Sequence, residues 1–440
     1  MKRLRFVLTT APRVNPRFKR APDTLVSFAP MDALADGLGG LSELETKSFT
    51  EVAGGSYNYF ENGDVLLAKV TPCFENGKKA IAHDLENGAG FATSEVLVFR
   101  PDSDGIDTRY LHYLFCAEDF RHKAIASMTG AGGLRRVSER AVLDFPLRIT
   151  DLATQRQIAD FLDRETARID LLIEKKKRFI ETLSESRLTA APSVIRGFGG
   201  PEMKETPDTF DKHFDANGWS VGRVKHIVKL MTSGSRGWSD LIQDDGELFL
   251  QSGNIGRRNE IVLSEAKRII PQTNAEARRT RLKDADTLVC ITGGRTGAVG
   301  FLETVPETAY INQHICLLRP EPKKIYPKLL AQSLYSEIGQ RQFSFFQYGL
   351  KQGLGFSQVG EVRLPIPPQD LQPKISSEID RIFERIGSTQ SLQERSIDRL
   401  KEYRSALITA AVTGQIAVTT YAKSGTPDRR LDVLQEEMGA

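Results

Sequence analysis

The chain has 440 residues, of which 40% are hydrophobic and 27% charged, a composition that is typical of globular proteins and excludes wholesale disorder. The length favours about three domains. Lys and Arg number 60 and Asp and Glu 57, giving a net charge of +3, so a nucleic-acid-binding surface would need a local concentration of basic residues.

The N-terminal residues and the cysteines indicate the compartment. Residues 1–10 are basic, but their apolar run Phe6–Leu8 is too short for a signal peptide, and no stretch reaches the roughly 20 apolar residues of a membrane span. The cysteine spacings suit neither a zinc site nor a disulfide framework. The four cysteines are Cys73, Cys116, Cys290 and Cys316. We therefore expect a cytoplasmic protein with free thiols, no metal site and no membrane contact.

Residues 1–150 are predicted to form a first domain of mixed strands and helices. Strand-like runs at Gly63–Val70 and Val96–Pro101 are bounded by turn residues. A helical pattern covers Tyr110–Ala126, and the short apolar run Val142–Leu147, with its proline, closes the segment. This mixture of elements predicts an α+β domain.

A long amphipathic helix is predicted next, over residues 151–197. No proline lies between Gln155 and Ala191, so this stretch can form one helix about 55 Å long at ~1.5 Å per residue. Pro192 and Gly197 predict where it ends. Its apolar residues recur at spacings of three, four and seven, so one stripe of the helix must be buried against a partner.

The second half of the chain repeats this order. A linker over 198–217 leads to a second domain over 218–368, a second long helix over 369–418 and a flexible tail over 419–440. The segments of the second domain that resemble those of the first are Asp284–Ile291, Ile315–Pro320, Pro327–Phe343 and Val362–Pro367.

The two long helices are the clearest part of the repeat. Gln155–Gly197 aligns without gaps over Gln372–Gly414, 217 residues later, with twelve identities where chance would give about two or three. Because the copies share one apolar stripe, we expect them to pair as an antiparallel coiled coil. The residues predicted for its seam are Ile158, Leu162, Ile169, Ile180, Leu183, Ile375, Ile379, Ile386, Ile397, Leu400 and Leu407. The predicted fold is therefore two similar α/β domains separated by this helix pair.

Motifs for catalysis are missing from the sequence. It has no P-loop, since the glycine-rich run Thr292–Gly297 lacks the lysine, and no zinc-protease, nucleophile-elbow or dinucleotide-binding motif. It also lacks the Asp/Asn-Pro-Pro-aromatic motif by which amino-methyltransferases hold a base. We therefore expect a chain that is not itself an enzyme and that binds no cofactor directly.

Polar loops punctuated by glycine occur at corresponding places in both domains. They carry Arg and Lys, which suit guanine edges and phosphates, and Asn and Gln, which suit adenine. The predicted DNA-binding residues are Lys69, Thr71, Lys78, Arg135, Arg136, Ser252, Asn254, Arg257, Thr292, Arg295, Lys351 and Gln352. For any single residue, an ordinary solvated loop is the favoured interpretation; the occurrence of the pattern at corresponding places in both domains favours a binding surface for the set as a whole.

The sequence resembles the specificity subunits of type I restriction-modification enzymes over residues 1–418. Most specific is the ending Leu400–Ile416, together with the junctions from proline into each helix. Other segments that carry the resemblance are Gly63–Leu66, Ala92–Val96, Ile158–Asp163, Trp219, Phe249–Ile255 and Leu364–Pro368.

The resemblance implies two target-recognition domains, each reading half of a split site in double-stranded DNA, with the helix pair as a spacer. It also implies two modification subunits that use S-adenosylmethionine to methylate adenine, and restriction subunits that use ATP and Mg²⁺. A different interpretation remains open from the residues alone, namely a coiled-coil scaffold whose domains bind protein without reading DNA. Binding that weakens steeply with salt would favour DNA.

Overall fold

The computed structural model describes residues 2–131, 133–147, 150–201, 218–347 and 353–418. The chain divides into two compact units, which we call unit 1 (1–176 with 395–440) and unit 2 (177–394). Each unit therefore contains one globular region and one half of each long helix. The division into domains and linker made from the sequence stays a prediction.

Unit 1 begins with a globular region of short strands and helices. Two four-stranded sheets form within its described residues, in the orders β2-β9-β6-β7 and β4-β3-β8-β5, and β1 pairs with β10. The elements are β1 Lys2–Arg3, β2 Leu8–Thr10, α1 Pro16–Arg20, β3 Leu25–Ala29, β4 Glu45–Ser48, α2 Phe49–Ala53, β5 Asn58–Glu61, β6 Val65–Ala68, β7 Lys79–Ile81, β8 Ala89–Ala92, β9 Val96–Pro101, α3 Thr108–Leu114, α4 Glu118–Ala126, α5 Glu139–Leu143, β10 Pro146–Leu147 and the long helix α6 Leu152–Gly197.

Unit 2 largely repeats this topology, but the fourth strand of its second sheet joins the edge opposite to the one that the fourth strand joins in unit 1. The described part of its globular region also has two four-stranded sheets, β12-β19-β16-β17 and β13-β15-β14-β18, and a pair β11-β20. The elements are β11 Ser220–Arg223, α7 Val224–Ile227, β12 Val228–Ser233, β13 Ile242–Gln243, β14 Glu247–Leu250, β15 Lys267–Ile269, α8 Ala275–Thr280, β16 Asp286–Cys290, β17 Val299–Leu302, β18 Ala309–Ile311, β19 Ile315–Pro320, α9 Pro327–Tyr335, α10 Glu337–Phe346, α11 Phe356–Glu361, β20 Arg363–Ile366 and the long helix α12 Gln372–Val412.

A buried ion pair fixes the correspondence between the two globular regions. Asp64, at the start of β6, accepts two hydrogen bonds of 2.7 Å from Arg100 on β9. Asp286, at the start of β16, accepts bonds of 2.8 and 2.7 Å from Arg319 on β19. Both carboxylates are buried, and a bidentate guanidinium supplies the partner that a buried charge requires.

This ion pair corrects one alignment made from the sequence. Laying Gly63–Val70 over Asp284–Ile291 offsets Asp64 from Asp286 by one residue. The hydrogen bonds equate the two aspartates, so the strands match only after a shift of one position. Such a shift exchanges the faces of a strand, and nearly continuous apolar runs give no alternation from which to choose between the two.

The helical pattern predicted in each globular region, after β9 in unit 1 and after β19 in unit 2, forms two helices. Tyr110–Ala126 covers α3 and α4, and Pro327–Phe343 covers α9 and most of α10. Between α9 and α10, Ser336 caps the N-terminus of α10: its hydroxyl accepts a hydrogen bond from the N–H of Ile338 at 3.3 Å. An apolar periodicity that continues through a short break does not reveal the break.

A buried glutamine holds each globular region to the first turn of its long helix. Gln155 is 1% exposed; its Oε1 accepts from the N–H of Asp107 at 2.9 Å. Its Nε2 donates to the carbonyls of Gly105 at 3.3 Å and Thr150 at 2.9 Å. We call this arrangement the glutamine clip.

Unit 2 has the same clip at the equivalent position. Gln372 is 2% exposed, and its Oε1 accepts from the N–H of Tyr326 at 2.5 Å. Its Nε2 donates to the carbonyls of Lys324 at 3.3 Å and Pro367 at 2.9 Å. All three partners of each amide are therefore backbone groups, and they lie in equivalent loops of the two units, which is why the glutamine recurs in both copies of the repeat.

The long helices pack antiparallel within each unit. In unit 2, Ser184 on α6 bonds to Gln390 on α12 at 2.9 Å, and Arg187, one turn later, bonds to the carbonyl of Phe383, so numbering rises on one helix as it falls on the other. In unit 1, Arg404 on α12 pairs with Asp170 on α6. Nine of the eleven residues predicted for the seam are buried, while Ile180 and Leu183 are half-buried.

The ends of the long helices differ in part from the prediction. Gly414 ends the second copy in a left-handed conformation (φ 74°), but in the first copy Gly199 (φ 80°) has this role and Gly197 is still helical. Pro192, predicted as a stop, lies inside α6. Near a helix terminus a proline removes one hydrogen bond to a carbonyl without preventing the last turn from forming.

Candidate nucleic-acid interface

The predicted binding loops of unit 1 lie together at one end of the β2-β9-β6-β7 sheet. The N–H of Lys69 donates to the carbonyl of Glu95 at 2.9 Å, and that of Thr71 donates to the carbonyl of Arg135 at 2.9 Å. Three segments distant in sequence are thus joined by backbone hydrogen bonds. We call them loop cluster 1: residues 69–78, 93–95, 128–131 and 133–136.

Two arginines project from loop cluster 1. Arg135 Nη2 lies 3.0 Å from Glu75 Oε1, and Arg136 makes a bidentate contact with Glu95 at 2.9 and 3.0 Å. The hydrogen bonds from Arg136 lower the pKa of Glu95. The arginine side chains are 48% and 45% exposed. Both are accessible and already oriented, and a phosphate or base edge would compete with the carboxylates for them.

The remaining predicted residues of unit 1 belong to the same cluster but are less accessible. Lys69, Thr71 and Lys78 are half-buried. Thr71 Oγ1 donates to the carbonyl of Arg135 at 3.1 Å, and Lys78 Nζ lies 3.6 Å from Asp32. In the conformation described, the Thr71 side chain supports the loop that carries the two exposed arginines.

Unit 2 has a corresponding group of loops. Thr292 forms a backbone bridge with Gly353, and the N–H of Leu354 donates to the carbonyl of Ile291 at 2.8 Å. Arg295 joins a further loop to this group. We call the group loop cluster 2: residues 251–260, 292–298, 312–314 and 353.

Arg295 acts as a brace in loop cluster 2. Its Nη1 donates to the carbonyls of Gly253 at 2.9 Å and Ile255 at 2.6 Å. Nη1 is therefore occupied by hydrogen bonds to the backbone, although the Arg295 side chain as a whole is exposed to solvent. Arg295 can present only its other N–H groups to a ligand while it holds residues 253–255 in place.

Asn254 is placed differently from the way its sequence position suggested. It is 4% exposed, its Oδ1 accepts from the N–H of Gln251 at 2.8 Å, and its Nδ2 donates to the carbonyl of Val262 at 3.2 Å. The amide shapes the turn after β14, so this geometry does not offer it to DNA.

The other predicted residues of unit 2 divide by exposure. Arg257 is exposed, and Ser252 is half-buried at the start of the same loop. Lys351 and Gln352 lie outside the described residues. The structure thus brings Ser252, Arg257, Thr292 and Arg295 to one region and leaves the placement of the other two as a prediction.

The two loop clusters share a frame but carry different side chains. Glu95 precedes β9 and pairs with Arg136. At the equivalent position before β19 stands His314, whose Nδ1 contacts the hydroxyl of Thr292 at 2.5 Å, and the counterpart of Arg136 is Gly353. A guanidinium-carboxylate pair in one cluster is thus replaced by an imidazole-hydroxyl pair in the other. The two surfaces therefore present different hydrogen-bonding groups.

The acidic partners were missed at the sequence level. Glu75 and Glu95 hold the two exposed arginines, yet neither was among the predicted site residues. The available signal was Glu95 itself, which lies in the run Ala92–Val96. Exposed ion pairs of this kind contribute at most about 1 kcal/mol, so a ligand can displace these carboxylates from the arginines.

Metal and membrane sites can be assessed for the described part of the chain. In that part, no group of three or more His, Cys, Asp or Glu residues is placed to hold a metal ion. Among the helices described, none combines the length and apolar character needed to cross a membrane.

Comparison with known proteins identifies relatives of one kind. The type I restriction enzyme EcoAI specificity subunit of Escherichia coli is 31% identical over 209 residues, which are 47% of this chain and 35% of that protein. The EcoBI specificity subunit of the same organism is 22% identical over 320 residues, 69% of this chain and 65% of the relative. The match thus spans about a third of the EcoAI subunit and just under two thirds of the EcoBI subunit. No family model matches the chain.

Solved structures share the fold over nearly the whole chain. A chain from a study of assembly and conformational transition of the type I R-M system superposes with a TM-score of 0.66 at 16% identity, covering 94% of this chain and 97% of that one. The HsdS subunit from Thermoanaerobacter tengcongensis gives 0.53 at 17% identity, covering 94% and 96%. The predicted fold class, two similar α/β domains with a pair of long helices, is thereby confirmed. The resemblance seen in the sequence is confirmed as well: this chain is a relative of the type I restriction-modification specificity subunits.

Proposed function

We propose that this chain is the DNA-recognition subunit of a type I restriction-modification complex and that it reads a split site, one half with each loop cluster. The observation that carries the proposal is a single duplicated frame that presents different polar side chains at equivalent loop positions. Two copies of one reader with different contacts recognise two different half-sites.

The partners follow from the same proposal. Two modification subunits would use S-adenosylmethionine, and restriction subunits would use ATP and Mg²⁺. This chain would position these subunits without catalysing a reaction itself. The complex would work in the cytoplasm. The long helices carry apolar side chains that are available for docking: Leu171 is 50% exposed, Phe179 45% and Leu392 56%. Exposed apolar groups of this size on a helix surface suit a protein partner.

Methylome mapping tests the proposal. The chain and its modification subunits are expressed in cells that lack other methyltransferases, with cells lacking this chain as the control. We expect a bipartite methylated site that disappears with the chain. Arg136→Gly, which installs the residue found at the equivalent position of unit 2, should change one half of the site only. Methylation without a split motif, or none that depends on this chain, would contradict the proposal.

Salt dependence separates DNA reading from a scaffold that binds protein alone. Each phosphate contact releases counterions, so the affinity of the assembled complex for DNA should fall linearly on a log-log plot against salt. A scrambled duplex of equal length serves as the control. Equal affinity for both duplexes at every salt concentration would favour the scaffold.

A further inference from the structure

Unit 1 contains a basic pocket that the predicted DNA contacts do not use. It lies between the loop before β7, helix α4 and the C-terminal half of α12, and has a volume of about 190 Å³. Its basic lining residues are Lys79, Arg121, Lys401 and Arg404, and the rest of the wall includes Gly37, Asn76 and Ser405. We call it the basic pocket.

Lys79 lines this pocket with its charge uncompensated. It is 2% exposed, and its Nζ donates to the carbonyls of Gly37 at 2.6 Å and Gly77 at 3.3 Å. Among the described residues, no carboxylate oxygen lies within ion-pair distance of it. Burying an ammonium without a counter-ion is costly, so a third, anionic partner would stabilise it.

Arg121 has unused hydrogen-bonding capacity in the same place. Its Nη2 donates to the carbonyl of Glu75 at 2.5 Å, while its Nε is buried without a partner. The other two cations are paired, Arg404 with Asp170 and Lys401 with Asp398 at 3.3 Å. The pocket therefore keeps an excess of positive charge from Lys79 and Arg121.

Three further groups nearby leave this excess unchanged. His112 is buried; burial, and then the charge of Lys79, lowers its pKa to about 3, so it stays neutral. Glu118 Oε1 accepts from the hydroxyl of Ser405 at 3.1 Å, and the carboxylate of Glu75 pairs with Arg135. Neither carboxylate forms an ion pair with Lys79 or Arg121.

The duplicate in unit 2 shows that the fold does not require these cations. Equating the ion-paired aspartates makes Val299 the counterpart of Lys79, and the fourth residue of α10, Gln340, the counterpart of Arg121. Ser184 stands where unit 1 has Lys401. Only Arg187, the counterpart of Arg404, is retained, and it donates to the carbonyls of Phe383 and Arg258.

We propose that the basic pocket binds a phosphoryl oxyanion through Lys79 and Arg121. This proposal rests on the proposed function. The oxyanion is a backbone phosphate of the DNA, because the loop that ends at Lys79 also carries Lys78, a predicted DNA contact. A free phosphate ion has the same oxyanion chemistry and is the other source. Guanidinium and ammonium groups together are well suited to this ligand.

The test uses the complete complex and residues supplied by the duplicate. Arg121→Gln and Lys79→Val each install the unit 2 counterpart, and Lys19→Gln removes an exposed charge outside the pocket. Affinity for cognate and scrambled duplexes is measured over a range of salt. For a DNA phosphate, either pocket variant should lower affinity for both duplexes by the same factor and reduce the salt slope by about one. Arg121→Lys should retain most of the slope, and Lys19→Gln should leave it unchanged.

A melting experiment identifies the other source. Inorganic phosphate at constant ionic strength should raise the melting temperature of the wild type, but not of Arg121→Gln, if a free ion occupies the pocket. An unchanged salt slope together with no phosphate-dependent melting shift would overturn the proposal. The methylated site of the variants distinguishes this failure from a failure of the proposed function. If the chain reads DNA, the variants should still methylate the same split site whether or not the basic pocket binds an oxyanion. Loss of the proposed function would instead show as the absence of any split site that depends on this chain.

Discussion

The glutamine clip makes a quantitative prediction. In Gln155→Ala the buried N–H of Asp107 loses its acceptor, and the carbonyls of Gly105 and Thr150 lose a donor. A buried donor without a partner costs about 1–3 kcal/mol, and each lost carbonyl bond contributes about 0.5–1.5 kcal/mol. We expect the variant to lower the opening free energy of unit 1 by about 2–6 kcal/mol. Gln155→Glu should not rescue it, because a carboxylate would face two carbonyl oxygens.

Native-state hydrogen exchange on the full chain measures the effect. Peptides covering residues 105–126 should exchange faster in Gln155→Ala, while those covering residues 324–346 should be unchanged. Gln372→Ala is the matched control and should give the reverse pattern. Because the chain contains two units, a single unfolding free energy would mix their contributions, and exchange reports them separately. Equal acceleration in both units, or none in either, would refute the idea that each clip acts on its own domain.

Three further predictions concern the helices and loop cluster 2. Inserting one heptad after Lys176 and one after Glu394 should lengthen the spacer of the methylated site by up to about three base pairs, since seven residues add about 10.5 Å; an unchanged spacer in methylome mapping would contradict this. Arg295→Ala frees the loop held at Gly253 and Ile255, so selection from a library randomised in both half-sites should show altered preference only in the half read by residues 218–368. Altered preference in both halves would mean that the readers are not independent. Pro192→Ala restores the missing hydrogen bond to the carbonyl of Leu188 and should stabilise unit 2 by about 1–3 kcal/mol, seen as a higher melting temperature. The hydrogen exchange of unit 1 should not change.

The sequence was most informative where one periodicity covers many residues. The long helices, their seam and their antiparallel pairing followed from the gapless repeat, because apolar spacing identifies a helix face directly. Short elements were harder. The break between α9 and α10 depends on the side chain of Ser336, and the one-residue shift between β6 and β16 depends on an ion pair with a distant strand.

The candidate site was predicted only in outline. Loop composition located the loops, but it did not distinguish Arg136, which is exposed and oriented by Glu95, from Asn254, whose amide is buried in a turn. Lys79 and Arg121 are 42 residues apart and meet because α4 packs near the loop before β7. Composition cannot report such a meeting, since it depends on tertiary packing.

The division of the long helices between the units has a consequence for synthesis on the ribosome. Unit 2 is one continuous stretch, residues 177–394, whereas unit 1 is completed only by residues that follow Glu394. The hydroxyl of Tyr110 bonds to the carbonyl of Val412 at 2.8 Å, and the N–H of Glu118 to Thr409 Oγ1 at 3.1 Å, so α12 supplies part of the surroundings of α3 and α4.

At about 5–20 residues per second, the nascent first domain waits roughly 10–45 s for this segment. During that interval the face that later receives Ile408 and Ala411, which are 3% and 0% exposed in the finished fold, stays open to solvent. The domain translated second is therefore the first that can be completed. A chaperone that binds apolar surface would find its substrate in the N-terminal domain of the unfinished chain.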